Sequence, residues 1–218
     1  MTKIIDKPDN DDRIGPEYRH LARVLGLQYS EFDMEVTLTD EDIRYAARLI
    51  NTHDLATGYI VICPYTTRPQ KHWVESHWNL LAHRIKEHYG IKTVILGGPE
   101  NLEAGEKIAA EHRGILVNQA GHTRLRQAAA IISKASLLIG VDTGLTHMGI
   151  AFNVPTVALF GSTRPYLETE HDKVRIIYKY LECSPCGRNP TCGGAFTCMT
   201  SVTVDEVMGK VRELMQST

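Results

Sequence analysis

Two polar stretches of this 218-residue chain have the residue types to hold an anion. The first is Asp142-Thr143-Gly144-Leu145-Thr146-His147. It follows a short apolar run at 137–141, the pattern of a strand buried on both faces. Helical spacing begins at once, at 145–152, and Asn153 and Pro155 end it before a second apolar strand at 156–160. A strand that turns directly into a helix places the helix N-terminus at the carboxyl edge of the sheet. Open α/β sheets bind ligands there, and the free amides and dipole of the helix favour a phosphate. Asp142 or Thr143 is expected to cap the helix, and Gly144 lets a ligand approach the backbone. The turn therefore offers amides, two hydroxyls, a carboxylate and an imidazole, although the same residues also suit a plain capped helix. An isolated His147 is more often structural than catalytic, so it is read as a binding residue.

The second stretch is Thr66-Thr67-Arg68-Pro69-Gln70-Lys71, in a polar loop at 64–72 after an apolar strand at 59–63. Its cations suit an anion, although a lone loop lysine is ordinarily a solvated charge. A third element, Gly97-Gly98-Pro99-Glu100, is a strand-to-helix turn with Glu100 and Glu103 as candidate carboxylates. Finally, Cys183, Cys186, Cys192 and Cys198 form a C-x2-C-x5-C-x5-C pattern. Four thiolates suit tetrahedral zinc or iron. The second pair is spaced more widely than in ordinary zinc ribbons, so free thiols or disulfides stand beside the structural metal. Cys63 falls in a strand and reads as core.

Strand and helix alternate around these stretches. Strands are expected at 59–63, 92–96, 115–117, 137–141, 156–160 and 174–178. Thr39 opens a helix whose Ile43, Ala46, Ala47 and Ile50 share a face. Val74, Trp78, Leu81 and Ile85 line a second, ended by Gly90. A third helix runs from the glycine turn to Arg113. Thr123 is expected to cap a fourth, with Leu125, Ala128, Ala129 and Ile132 inward, and a last helix starts at Thr203 and carries Val207, Val211 and Leu214 inward. Residues 1–13 read as a tail and 16–25 as a short helix. Such alternation means an α/β fold with a doubly wound, parallel, Rossmann-like sheet of five to seven strands.

Composition narrows the function. The chain is 43% hydrophobic and 23% charged, with a net charge of −2. That is ordinary for a globular protein and argues against a nucleic-acid binder, which would be basic. No apolar run approaches the ~20 residues of a membrane helix, and residues 1–12 are too polar for a signal peptide. A cytoplasmic location is expected, where paired cysteines are metal ligands or thiols more often than disulfides.

The motifs also carry a resemblance. Asp142-Thr143-Gly144-Leu145-Thr146-His147, followed by Val154-Pro155-Thr156-Val157-Ala158-Leu159-Phe160-Gly161, resembles the signature of glycosyltransferase family 9, which includes the ADP-heptose:lipopolysaccharide heptosyltransferases. Thr66 to Trp73 is similar to that family's first nucleotide-sugar loop, and the cysteine segment to one found in many members. The resemblance implies the C-terminal, donor-binding half of an inverting GT-B glycosyltransferase. It implies a nucleotide-sugar donor, ADP-heptose, a lipopolysaccharide-type acceptor, no catalytic metal and a peripheral place at the inner membrane. Thr66, Thr67, Lys71, Thr143, Gly144 and Thr146 are then expected on the diphosphate, with Arg68 and His147 beside them. Asp142 is expected on sugar or ribose hydroxyls, and Glu100 or Glu103 on the adenosine ribose. Residues 1–56 correspond to a tail, helices and linker at the end of the acceptor domain. Residues 57–218 correspond to the donor domain, with its cysteine segment at 183–198. The catalytic base belongs to the acceptor domain in the family, so no residue here is assigned that role. A non-catalytic nucleotide-sugar module completed by a partner chain is the alternative.

Overall fold

In the computed structural model, residues 20–27, 34–110, 114–165 and 172–216 are described. Six parallel strands form one sheet in the order β3-β2-β1-β4-β5-β6. They are β1 (Tyr59–Cys63), β2 (Lys92–Ile95), β3 (Leu116–Asn118), β4 (Leu137–Val141), β5 (Thr156–Leu159) and β6 (Val174–Ile177). The doubly wound parallel sheet expected from the alternation is therefore present. β1 and β4 are buried along their whole lengths, as a sheet covered on both faces requires. They are also direct neighbours, with Cys63 opposite Gly140. The strand order reverses between them, which makes their carboxyl ends the topological switch point.

Besides the helical residues 20–24, the described part of the helix expected at 16–25, the helices are α1 (Asp40–Thr52), α2 (Glu75–Tyr89), α3 (Leu102–Ala110), α4 (Leu125–Ile132), α5 (Gly144–Ala151), α6 (Thr197–Thr200) and α7 (Val204–Gln216). On one sheet face Trp78, Leu81 and Ile85 of α2 meet Val207, Val211 and Leu214 of α7. Ala46 and Leu49 of α1 pack with Ala128, Ile131 and Ile132 of α4 on the other face. Thr39 and Asp42 form a reciprocal capping box at the start of α1, and Thr203 with Glu206 does the same for α7. Gly90 closes α2 in the left-handed region, φ 70°.

Several local expectations are corrected. Ile43 and Ala47 are exposed, because α1 is turned so that Ala46 and Leu49 face α4. Thr123 does not cap α4; the cap residue is Arg124, whose amide donates to the Gln127 side chain. Leu125 points away from the core and is 63% exposed. The described part of α3 ends at Ala110, so the expected run to Arg113 lies outside the described residues, as do the tail and the start of the helix expected at 16–25.

Candidate functional site

The switch point opens into a cavity of about 600 Å³. Its floor is the turn Asp142-Thr143-Gly144 after β4, and one wall is the loop after β1, with Tyr65, Thr66, Thr67, Arg68 and Lys71. The turn after β2 (Gly97, Gly98, Pro99, Glu100, Asn101) and the start of α4 (Thr123, Leu125, Ala128) complete it, with His147 one helical turn into α5. Of the eleven residues expected to bind the donor, nine line this cavity. Glu103 does not, and it lies exposed on α3, which leaves Glu100 as the cavity carboxylate of that turn.

Thr146 is the other exception. It is fully buried, and its hydroxyl donates to the carbonyl of Val141 at 2.7 Å. This bond ties α5 to the end of β4. Gly140 makes it possible: a Cβ there would lie 2.1 Å from the Thr146 hydroxyl oxygen. Thr146 therefore shapes the turn from beneath and does not face a ligand. Thr143 is the N-terminal cap residue of α5 by backbone only, since its side chain makes no cap hydrogen bond. Its carbonyl accepts from the amides of Thr146 and His147. The amides of Gly144 and Leu145 precede the first intrahelical bonds and so remain donors at the cavity.

Asp142 is the hub. Its Oδ2 accepts from Lys71 Nζ at 2.5 Å and from Thr163 Oγ1 at 2.5 Å, and Oδ1 lies 3.3 Å from His147 Nε2. The Asp142 and Lys71 side chains are 14% and 15% exposed, so the pair is shielded from water. Burial would raise the Asp142 carboxyl pKa. Hydrogen bonds from His147, Lys71 and Thr163 and the charge of Lys71 outweigh it, holding the group well below the usual carboxylate range. Asp142 is an anion at any physiological pH, and it holds Lys71 over the helix start.

The loop carrying Lys71 is anchored on both sides. His72 Nε2 lies 2.9 Å from the Thr66 carbonyl, and Trp73 Nε1 donates to the Val202 carbonyl at 2.9 Å. Trp73 stacks edge-on against Trp78, with ring centres 4.8 Å apart. Tyr65, Asn101 and Thr123 also line the cavity, and Thr163 meets Asp142; none of them was expected at the site from the sequence. The hydroxyls of Tyr65 and Thr123 are buried without a hydrogen-bond partner among the described residues. Burial and the Glu75 charge push the Tyr65 phenol up to about 12. Thr163 could have been suspected only from its place just beyond β5, the neighbour of β4.

The cysteine segment lies beside the site, past β6. Burial and the neighbouring Cys186, Cys183 and Cys192 thiols push the Cys198 thiol up, against a hydrogen bond from Ser184. Amides of Phe196, Gly194 and Ala195 lower that of Cys192. All four cysteines are free, but they sit at different depths, Cys183 exposed and Cys198 buried against Gly161. Among the described residues no three His, Cys, Asp or Glu side chains form a group that could hold a metal ion. The four-thiolate centre expected from the spacing is therefore not formed in this arrangement. Cys63 is buried in β1, as expected.

The family model for glycosyltransferase family 9 (heptosyltransferase) matches residues 6–193. The chain belongs to that family. It is 32% identical over 136 residues to lipopolysaccharide heptosyltransferase 1 of Pseudomonas aeruginosa, a match covering 61% of this chain and 37% of that protein. Among solved structures, ADP-heptose LPS heptosyltransferase II of Escherichia coli superposes with a TM-score of 0.70 at 25% identity, over 88% of this chain and 56% of that one. The family 9 glycosyl transferase of Veillonella parvula shares the fold over the whole chain, with a TM-score of 0.83 at 21% identity and 64% of its own length covered. The chain thus spans between about a third and two thirds of the length of these family 9 relatives. No helix among the described residues is long and apolar enough to cross a membrane.

Proposed function

We propose that this family 9 chain is the donor-binding half of a glycosyltransferase, residues 57–218 forming the donor domain. It binds an ADP-activated sugar, ADP-heptose, whose heptose passes with inversion to a lipopolysaccharide-type acceptor. The observation that carries the reading is the convergence, at one switch-point cavity, of the Lys71 ammonium with the first amides of α5. When the glycosidic bond to the diphosphate breaks, negative charge grows on the departing oxygens. Lys71 and the Gly144 and Leu145 amides are fixed donors around that position, and Arg68 lines the same cavity, so the site stabilises the transition state more than the ground state. Asp142, always ionised, keeps Lys71 in place and presents acceptor lone pairs to sugar or ribose hydroxyls. His147, on the other carboxylate oxygen, holds Asp142 in that orientation. Glu100, at the glycine turn, suits the ribose hydroxyls of the adenosine. The base that activates the acceptor is assigned to an acceptor-binding domain and to no residue described here.

The donor named for the E. coli relative is ADP-heptose, which supports adenine over other bases. A cytoplasmic chain peripheral to the inner membrane follows from a lipid-linked acceptor. The test is calorimetric titration with ADP-heptose, ADP, UDP and adenosine. The reading expects ADP and ADP-heptose to bind more tightly than UDP. Equal affinity for all three nucleotides, or none at millimolar concentration, overturns it. Turnover of ADP-heptose with an acceptor separates the enzyme from a non-catalytic nucleotide-sugar module, which would bind without transfer.

A further inference from the structure

Gln70 precedes Lys71 in the loop, but its side chain runs the other way. It is 6% exposed, and its amide donates to the carbonyl of Gly187 at 3.2 Å. A buried amide of this kind is retained where its hydrogen bond is made. Gly187 lies one residue past Cys186 in the cysteine segment, at φ 62°, a conformation that a side chain would strain. Its own amide donates to the Ser162 carbonyl at 2.6 Å, and Ser184 Oγ donates to the Gly161 carbonyl at 2.8 Å. The next residue after Ser162 is Thr163, which donates to Asp142; Asp142 in turn accepts from Lys71. The contacts therefore close a ring: Lys71, Gln70, Gly187, Ser162, Thr163, Asp142 and back to Lys71.

We infer that the turn from Ser184 to Gly187 is a brace that sets the position of Lys71, with Gln70 and Thr163 as its two positioning residues. The inference rests on the proposed reading of Lys71 as a diphosphate ligand, and it gives the cysteine segment a role outside the cavity. The loop has no regular ladder of its own beyond the short 3-10 turn Pro69–Lys71. Without the Gly187 contact, Gln70 would leave a buried donor unpaired and the turn would relax. Lys71 would then keep its charge but lose its fixed place, and preorganisation is what makes a charge useful in binding.

The test reads Lys71 in two ways, in the intact chain. Acylation of Lys71 by an activated ester, without nucleotide, is followed by mass spectrometry with Lys210 on α7 as reference. ADP and adenosine are then titrated into wild type, Gln70→Met, Lys71→Met and the double variant. The brace predicts several-fold faster acylation of Lys71 in Gln70→Met with Lys210 unchanged. It predicts ADP affinity about fivefold weaker, the worth of one hydrogen bond, unchanged adenosine affinity, and no further loss from Gln70→Met once Lys71 is Met. Unchanged Lys71 acylation, or the same fivefold loss in the Lys71→Met background, overturns it. Gly187→Ala, which strains the same turn, is read identically if Gln70→Met does not fold. The acylation arm needs no nucleotide, so it decides the brace even if wild type binds no ADP and the donor reading fails.

Discussion

Lys71 Nζ lies 2.5 Å from Asp142 Oδ2, although 71 positions separate them in the chain. The distance follows from the sheet. β1 and β4 are adjacent and in register, Cys63 beside Gly140, so the segments leaving their carboxyl ends emerge side by side. One brings a cation, the other a carboxylate and a helix start.

This pair should make stability depend on acid. The folded-state pKa of Asp142 lies below its unfolded value of about 3.9. The contribution is therefore present above that unfolded pKa and is lost as pH falls through the folded one. Unfolding free energies of wild type and Asp142→Asn, from urea titration, should differ by on the order of 1–3 kcal/mol at pH 7. The gap should shrink progressively below about pH 4. A gap that stays constant down to strong acid would show that the ion pair does not stabilise the fold.

Gly140→Ala should be costly for a steric reason. A Cβ there sits 2.1 Å from the Thr146 hydroxyl oxygen, between two buried elements. Overpacking of this kind costs about 1–3 kcal/mol, and the displaced α5 should weaken ADP binding as well. Thr146→Ala in the same chain should restore part of the lost stability by making room. Thermal melting of the single and double variants checks this, and a Gly140→Ala chain as stable as wild type would refute the packing.

The thiols should divide by depth. Burial in β1 pushes the Cys63 thiol far above the ordinary range, while Cys183 is exposed. Ellman's reagent under native conditions should label Cys183 quickly and Cys63 only after unfolding. Rapid native labelling of Cys63 would mean that the β1 core opens far more readily than its packing indicates.

Much of the fold was legible because each signal was strong and local. Apolar runs of five residues bounded by turn residues read as buried strands, and Thr39, Gly90 and Thr203 marked helix ends. The site was legible as residue types: Lys71, Thr66, Asp142 and Gly144 all face the cavity. Direction was harder to read. A threonine in the first turn of a helix can face ligand or floor, and Thr146 faces the floor, where Gly140 leaves it room. Pairings across the sheet were not legible at all, because Thr163 meets Asp142 only once β5 is known to lie beside β4. The cysteine spacing likewise says which atoms are available but not how deep each one sits.

The central claim is that Lys71 reads a diphosphate held at the start of α5. Isothermal titration of wild type and Lys71→Met with ADP and with adenosine tests it most directly. Loss of a charge-assisted hydrogen bond should weaken ADP binding by on the order of 1–3 kcal/mol. Adenosine, which has no phosphate, should bind both chains alike. Equal losses for ADP and adenosine, or no loss for ADP, would contradict the account.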